Sequence, residues 1–182
     1  MKPAPIQIAT FSQRCILQVL DALILAPFSV YVYFWGPQRL AISHHSVFPL
    51  LCWHFLGWIL LGFLISRLGG TPAALLLKFR ITSYSGQNLH FFAALIRCLP
   101  QLIRGLLATL CMSFLISHLP NTPSLILDRP DIMELMALHA GGYFVIYRMM
   151  NGFGILDLAV LFFNAHGRSL TDFLSGSYVR SA

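Results

Sequence analysis

Four apolar runs, separated by stretches of glycine, proline and polar residues, set the pattern of this chain. The first runs from Cys15 to Trp35 and is preceded by Arg14. The second covers Val47–Ser66, the third Leu99–Leu119 and the fourth Gly142–Phe163. Each holds about 20 residues, enough at helical rise to cross a hydrocarbon core of roughly 30 Å. The pattern predicts an all-α fold, a polytopic transmembrane helical bundle of about four spans making one domain over residues 1–182. Gly36-Pro37-Gln38-Arg39 ends the first run and Pro120-Asn121-Thr122-Pro123 the third, because Gly and Pro stop helices. Pro27 falls inside the first run, where a bundle tolerates a kink.

Between the second and third runs lies the longest polar stretch, a loop over residues 67–90. Within it, Ala73 to Ile81 reads as a short helix or an extended piece. Lys78 and Arg80 stand among Leu75, Leu76, Leu77 and Phe79, the composition of a segment lying in a membrane interface. Ser85-Gly86-Gln87-Asn88 is a turn signal. The region Ile132–Phe163 is too long for one crossing, since a single helix would run about 48 Å. Asn151-Gly152-Phe153-Gly154 offers a break. Two readings follow: an interfacial helix from Ile132 ahead of a span from Gly142, or a re-entrant hairpin broken at Asn151-Gly152.

Composition agrees with the pattern. The chain has 182 residues, 57% hydrophobic and 10% charged, with mean hydropathy +0.74. A soluble domain carries about 25% charged residues. The first run is too long for a signal peptide and lacks a small-x-small cleavage site, so it is read as a retained span. The net charge of +6 does not point to nucleic acid, because the bases are scattered among apolar runs. They act as topology determinants instead. Lys2, Arg14, Arg67, Lys78, Arg80, Arg97, Arg168 and Arg180 fall on one side of a four-span layout, and Arg39 and Arg129 on the other. Both termini are therefore expected in the cytoplasm, and the lipid bilayer is the first partner.

Polar groups inside the runs carry what chemistry there is. Asp21 lies about 9 Å from the cytoplasmic end of its span, Arg104 about 8 Å and Asp157 about 9 Å, at helical rise. Arg97 and Arg14 mark the boundary above them. Intramembrane charge is costly and marks either a functional site or a structural pair. Asp21, Arg104 and Asp157 thus form either a cation or proton site or a charge clamp that holds helix registry. One arginine cannot fully neutralise two carboxylates, which favours an acid free to exchange a proton. Arg148 is on the helix face opposite Asp157. His54 in the second run reads as a packing histidine, with proton relay as the alternative. His44-His45 reads as a solvated loop pair. Cys15, Cys52, Cys98 and Cys111 show no metal-ligand spacing and read as reduced thiols. No metal or other cofactor is expected. Gly69-Gly70 lacks the lysine of a phosphate loop, and no nucleophile–base pair is evident, so an enzyme is not expected.

Arg14 at the start of the first run, Asp21 within it, the loop Gly70-Thr71-Pro72-Ala73-Ala74-Leu75-Leu76-Leu77-Lys78-Phe79-Arg80-Ile81 and the closing stretch from Arg168 to Ser177 together resemble the RDD family of small bacterial membrane proteins. The family is named for one arginine and two aspartates, matched here by Arg14, Asp21 and Asp172. The chain departs from its usual pattern at Ala73-Ala74, where Gly-Lys is common, and at Ser175-Gly176-Ser177, where Ala-Gly-Thr is common. The resemblance implies the inner membrane of a bacterium. It also implies cation/proton antiport, proposed for some members, as one function class. A small transporter or transporter subunit and a non-catalytic scaffold or assembly factor are the two readings, either one with a homo-oligomer or membrane-complex partner. Asp172 lies beyond the last span. It is expected to dock its segment by pairing with Arg14 or Arg97, with Leu170, Phe173 and Leu174 as the apolar stripe that needs a surface.

Overall fold

Helix α1 (Phe11–Phe34) takes up the first apolar run and begins ahead of it, so that Arg14 lies inside the helix. The computed structural model describes residues 8–34, 36–118, 141–164 and 168–181. The short α2 (Pro37–Ser43) follows, with Pro37 in its first turn, where a missing N–H costs nothing. Then come α3 (Phe48–Leu68), α4 (Pro72–Leu76), strand β1 (Phe79–Ser83), α5 (Phe91–Arg97) and α6 (Leu99–His118). The chain closes with α7 (Gly142–Asn151), α8 (Phe153–Phe163), α9 (Leu170–Ser175) and strand β2 (Ser177–Ser181). Among the described residues, four stretches are long and apolar enough to cross a membrane: Phe11–Phe28, Phe48–Leu76, Leu99–Ser117 and Phe144–Phe163. The all-α transmembrane architecture therefore holds. The fourth stretch is interrupted at Gly152, where the backbone stays right-handed helical (φ −76°, ψ −7°). The loop with Asp128, Arg129 and Asp131, and the interfacial helix expected from Ile132, lie outside the described residues.

The loop over residues 67–90 is more ordered than its polarity suggests. After α4 the chain turns at Lys78, whose φ is +57°, and enters β1. β1 pairs antiparallel with β2, with Ile81 opposite Val179 and Arg80 opposite Arg180. On its other side β2 meets the start of the chain, where the Ala9 amide donates to the Val179 carbonyl at 2.9 Å. This small sheet is absent from the apolar pattern. Its strands are short, far apart in sequence, and paired with each other rather than with neighbours. Gly176 (φ +63°) ends α9 in the left-handed region and lets β2 begin immediately.

The chain divides into two compact units. The first comprises Met1–Leu25, Trp58–Leu99 and Gly154–Ala182. Its core gathers Leu17 of α1, Ile65 of α3, Ala73 and Ala74 of α4, Ile81 of β1, Ala94 of α5 and Val179 of β2. The Trp58 indole N–H donates to the Leu95 carbonyl at 2.9 Å, joining α3 to α5. The second unit comprises Ala26–Gly57 and Pro100–Phe153. Ala41 and Ile42 of α2 and Leu50 of α3 pack there with Cys111, Met112, Leu115 and Ile116 of α6.

Within the second unit, α3 and α6 approach closely at Gly105. A methyl group there would lie 2.6 Å from Cγ and Nδ1 of His54. His54 is thus packed against backbone, and small residues of this kind let membrane helices come together. Gly105→Val should destabilise the protein by about 1–3 kcal/mol, the usual cost of overpacking. Thermal unfolding in detergent checks this. Unchanged stability would mean that α3 and α6 do not pack at this point.

Candidate functional site

The site is built on two short helices, α4 and α9, and the aspartates that hold their first turns. A helix N-terminus leaves amide donors without intrahelical partners. In α4, Pro72 has no amide hydrogen to place. The Ala73 amide donates to Oδ1 of Asp21 in α1 at 2.9 Å. The Ala74 amide donates to Oγ1 of the N-cap residue Thr71 at 3.4 Å. The same arrangement recurs in α9. The Thr171 amide donates to Oδ1 of Asp157 in α8 at 2.8 Å, and the Thr171 hydroxyl to Oδ2 at 3.3 Å. The Asp172 amide donates to Oγ of the N-cap residue Ser169 at 3.4 Å. In each helix the second amide is taken by an aspartate from a span and the third by the helix's own cap hydroxyl. Negative charge at a helix N-terminus is also favoured by the helix dipole.

The third acid, Asp172, is itself part of α9 and is fully buried. Its Oδ2 pairs with Nη1 of Arg14 in α1, and its Oδ1 with Nη1 of Arg97 in α5. Oδ2 also accepts from the Ser169 amide at 3.1 Å, completing a capping box. The Arg97 guanidinium donates to Oγ of Ser177 at 2.6 Å, and the Ser175 and Ser177 hydroxyls lie 2.7 Å apart. Burial alone would raise the Asp172 pKa. The Arg97 and Arg14 guanidiniums beside it outweigh that penalty and hold its carboxyl below the ordinary carboxylate range. One carboxylate thus joins the start of α1, the end of α5 and the first turn of α9.

Of the residues singled out in the sequence, the structure brings Arg14, Arg97 and Asp172 together. The pairing expected with Arg14 or Arg97 is made with both. Asp21 and Asp157 lie in the first unit and hold different helices. Arg104 lies exposed on α6 in the second unit. The apolar stripe of α9 turns out differently from expectation. Phe173 and Leu174 are 48% and 55% exposed, and the buried face is Ser169, Asp172 and Ser175. Polar bonds, rather than apolar burial, dock this helix. Sequence reasoning missed Thr71, Ser169, Thr171 and Ser177. The Ser169-Leu170-Thr171-Asp172 spacing is a capping-box signal that would have placed the α9 terminus. Nothing in the local pattern marks Thr171 as the partner of Asp157.

Four stretches of membrane length, with a buried Arg–Asp–Arg group in the first unit, define a helical integral membrane protein. The RDD family model matches residues 8–176, and the chain belongs to the RDD family. No curated protein and no solved structure matches the chain.

Removing the Asp172 charge leaves two guanidiniums without their counter-charge. Asp172→Asn should cost about 3–5 kcal/mol, the usual penalty for breaking a buried ion pair from one side. Because the folded pKa is depressed, the wild-type advantage is complete above the ordinary value of about 3.9. It is lost as pH falls through the folded value. Thermal unfolding in detergent followed by circular dichroism should show a gap between wild type and variant that is constant near neutrality and closes in acid. A gap independent of pH down to full acid would contradict the pairing.

Proposed function

We propose that this RDD protein is a non-catalytic scaffold or assembly factor of the bacterial inner membrane, with both termini cytoplasmic. The observation that carries this reading is the use of the acids. Each acid among the described residues holds a short helix to a span, through Asp21 to Ala73, Asp157 to Thr171, and Asp172 to Arg14 and Arg97. Carboxylates engaged in this way are held in a fixed geometry, which suits a rigid platform for a membrane partner. It is not read as an enzyme. The basic residues of the tails and of the loop over 67–90 support the orientation. Reporter fusions at Gly86 and at the C-terminus should read cytoplasmic and a fusion at Asn121 external; a periplasmic C-terminus would reject the four-span layout.

A second reading, a small cation/proton transporter or transporter subunit, draws on one observation. Asp21 is only half-buried within its span, whereas Asp157 and Asp172 are buried. Asp21→Asn separates the two readings. In the scaffold, Asn keeps a weaker acceptor for the Ala73 amide. Stability should fall by about 0.5–2 kcal/mol, the scale of a lost helix cap, and liposomes holding wild-type protein should show no pH-driven cation flux. A wild-type flux that disappears in Asp21→Asn at normal abundance would overturn the scaffold and establish transport.

A further inference from the structure

We propose that α4, α5 and α9 form a collar seated in the headgroup–acyl boundary of the leaflet where α1 begins, and that its partner is anionic phospholipid. The proposal holds for either reading of function. It starts from the large apolar residues that all three helices turn outward. On a water-facing protein a short surface helix turns its polar face outward and its large apolar residues inward. Here α4 buries Ala73 and Ala74 and leaves Leu76 72% exposed, with Leu75 and Leu77 beside it. α5 buries Ala94 and Leu95 and leaves Phe92 68% exposed, with Ile96 on the same outer surface. α9 buries Asp172 and Ser175 and exposes Phe173 and Leu174. Small or polar side chains face the protein in α4 and α9, and leucine, phenylalanine or isoleucine faces out in all three.

The anchoring contacts give the depth. The first turns of α4 and α9 are bonded to Asp21 and Asp157, and both aspartates lie within membrane-length helices. A helix tied to such a residue cannot stand clear of the bilayer in the aqueous phase. Its outer apolar face meets acyl chains, as expected for helices that lie in the interface plane.

Charge identifies the kind of lipid. The first unit holds eight basic residues against three acids, a net of +5 out of the chain's +6. All three acids are already engaged in holding helices. Lys78 and Arg80 are exposed immediately after the outer face of α4. Arg80 stands directly opposite Arg180 across the small sheet. The Arg180 guanidinium is held by the Gly86 carbonyl at 2.9 Å, so Lys78 and Arg80 are the cations left for an outside partner to meet. An anionic headgroup meets the charge of Lys78 and Arg80, while their aliphatic stems reach up from the apolar level. An acidic soluble protein would satisfy the charges but not the leucine and phenylalanine faces at span depth.

The test uses the full chain in nanodiscs, with its native cysteines replaced and a nitroxide placed in turn at L76C, F92C, F173C and, as a control in the exposed turn, S85C. Oxygen and a water-soluble nickel complex serve as relaxing agents. The collar labels should be oxygen-accessible and nickel-protected, and the S85C label the reverse. Collar labels as nickel-accessible as the control would overturn the proposal and point instead to a protein partner in water. The second arm compares spin-labelled phosphatidylglycerol with spin-labelled phosphatidylcholine as quenchers of a fluorophore at F92C. Phosphatidylglycerol should be preferred, and the K78Q/R80Q pair should weaken that preference about fivefold for each charge removed. Equal quenching by the two lipids in the wild type would overturn the assignment of anionic lipid.

Discussion

A carboxylate buried with no solvent contact is costly unless its charge is met, and Asp172 meets it with two guanidiniums, a backbone amide and a serine hydroxyl. The consequence is geometric. Arg14 fixes the start of α1, Arg97 fixes the end of α5, and Asp172 fixes α9, so three segments distant in sequence converge on one group. β2 follows α9 directly, and its pairing with β1 and with Ala9 depends on α9 being held there. Much of the first unit is organised around an ion pair that would be worth little on a water-exposed surface.

The two aspartates inside the spans extend the same logic. Backbone amides at helix ends need acceptors, and water is scarce in the hydrocarbon core. Asp21 and Asp157 supply them to α4 and α9 in matching positions. An intramembrane acid need not point to a transported ion when a helix terminus lies within reach. The arrangement also explains how helices of five and six residues persist, since isolated helices of that length do not form in water. Their stability comes from the spans that cap them.

The chemistry of the site was only partly legible in advance. Arg14, Asp21 and Asp172 were recognisable from the order and spacing of the family's motifs, and Arg97 from its place at a span boundary. Their partners were not. Reading Asp21 and Asp157 as one charged layer relied on depth along each helix, which says nothing about what approaches from the side. The outward turn of Phe173 and Leu174 runs against the expectation of an apolar docking stripe, because the bonds of buried Ser169, Asp172 and Ser175 hold the helix instead.

What the sequence determined by itself was the class of fold. Apolar runs matched to bilayer thickness, basic residues between them, and proline or glycine at their ends are local properties, and the bilayer imposes them on any chain that crosses it. The tertiary structure decided the rest. It paired Ile81 with Val179, set Ser177 beside Arg97, and brought the Thr171 amide to Asp157. These contacts follow from how distant segments pack, and each depends on a donor or acceptor that many residues could supply. Local pattern records which groups are costly to bury; only the folded chain shows which partner relieves that cost.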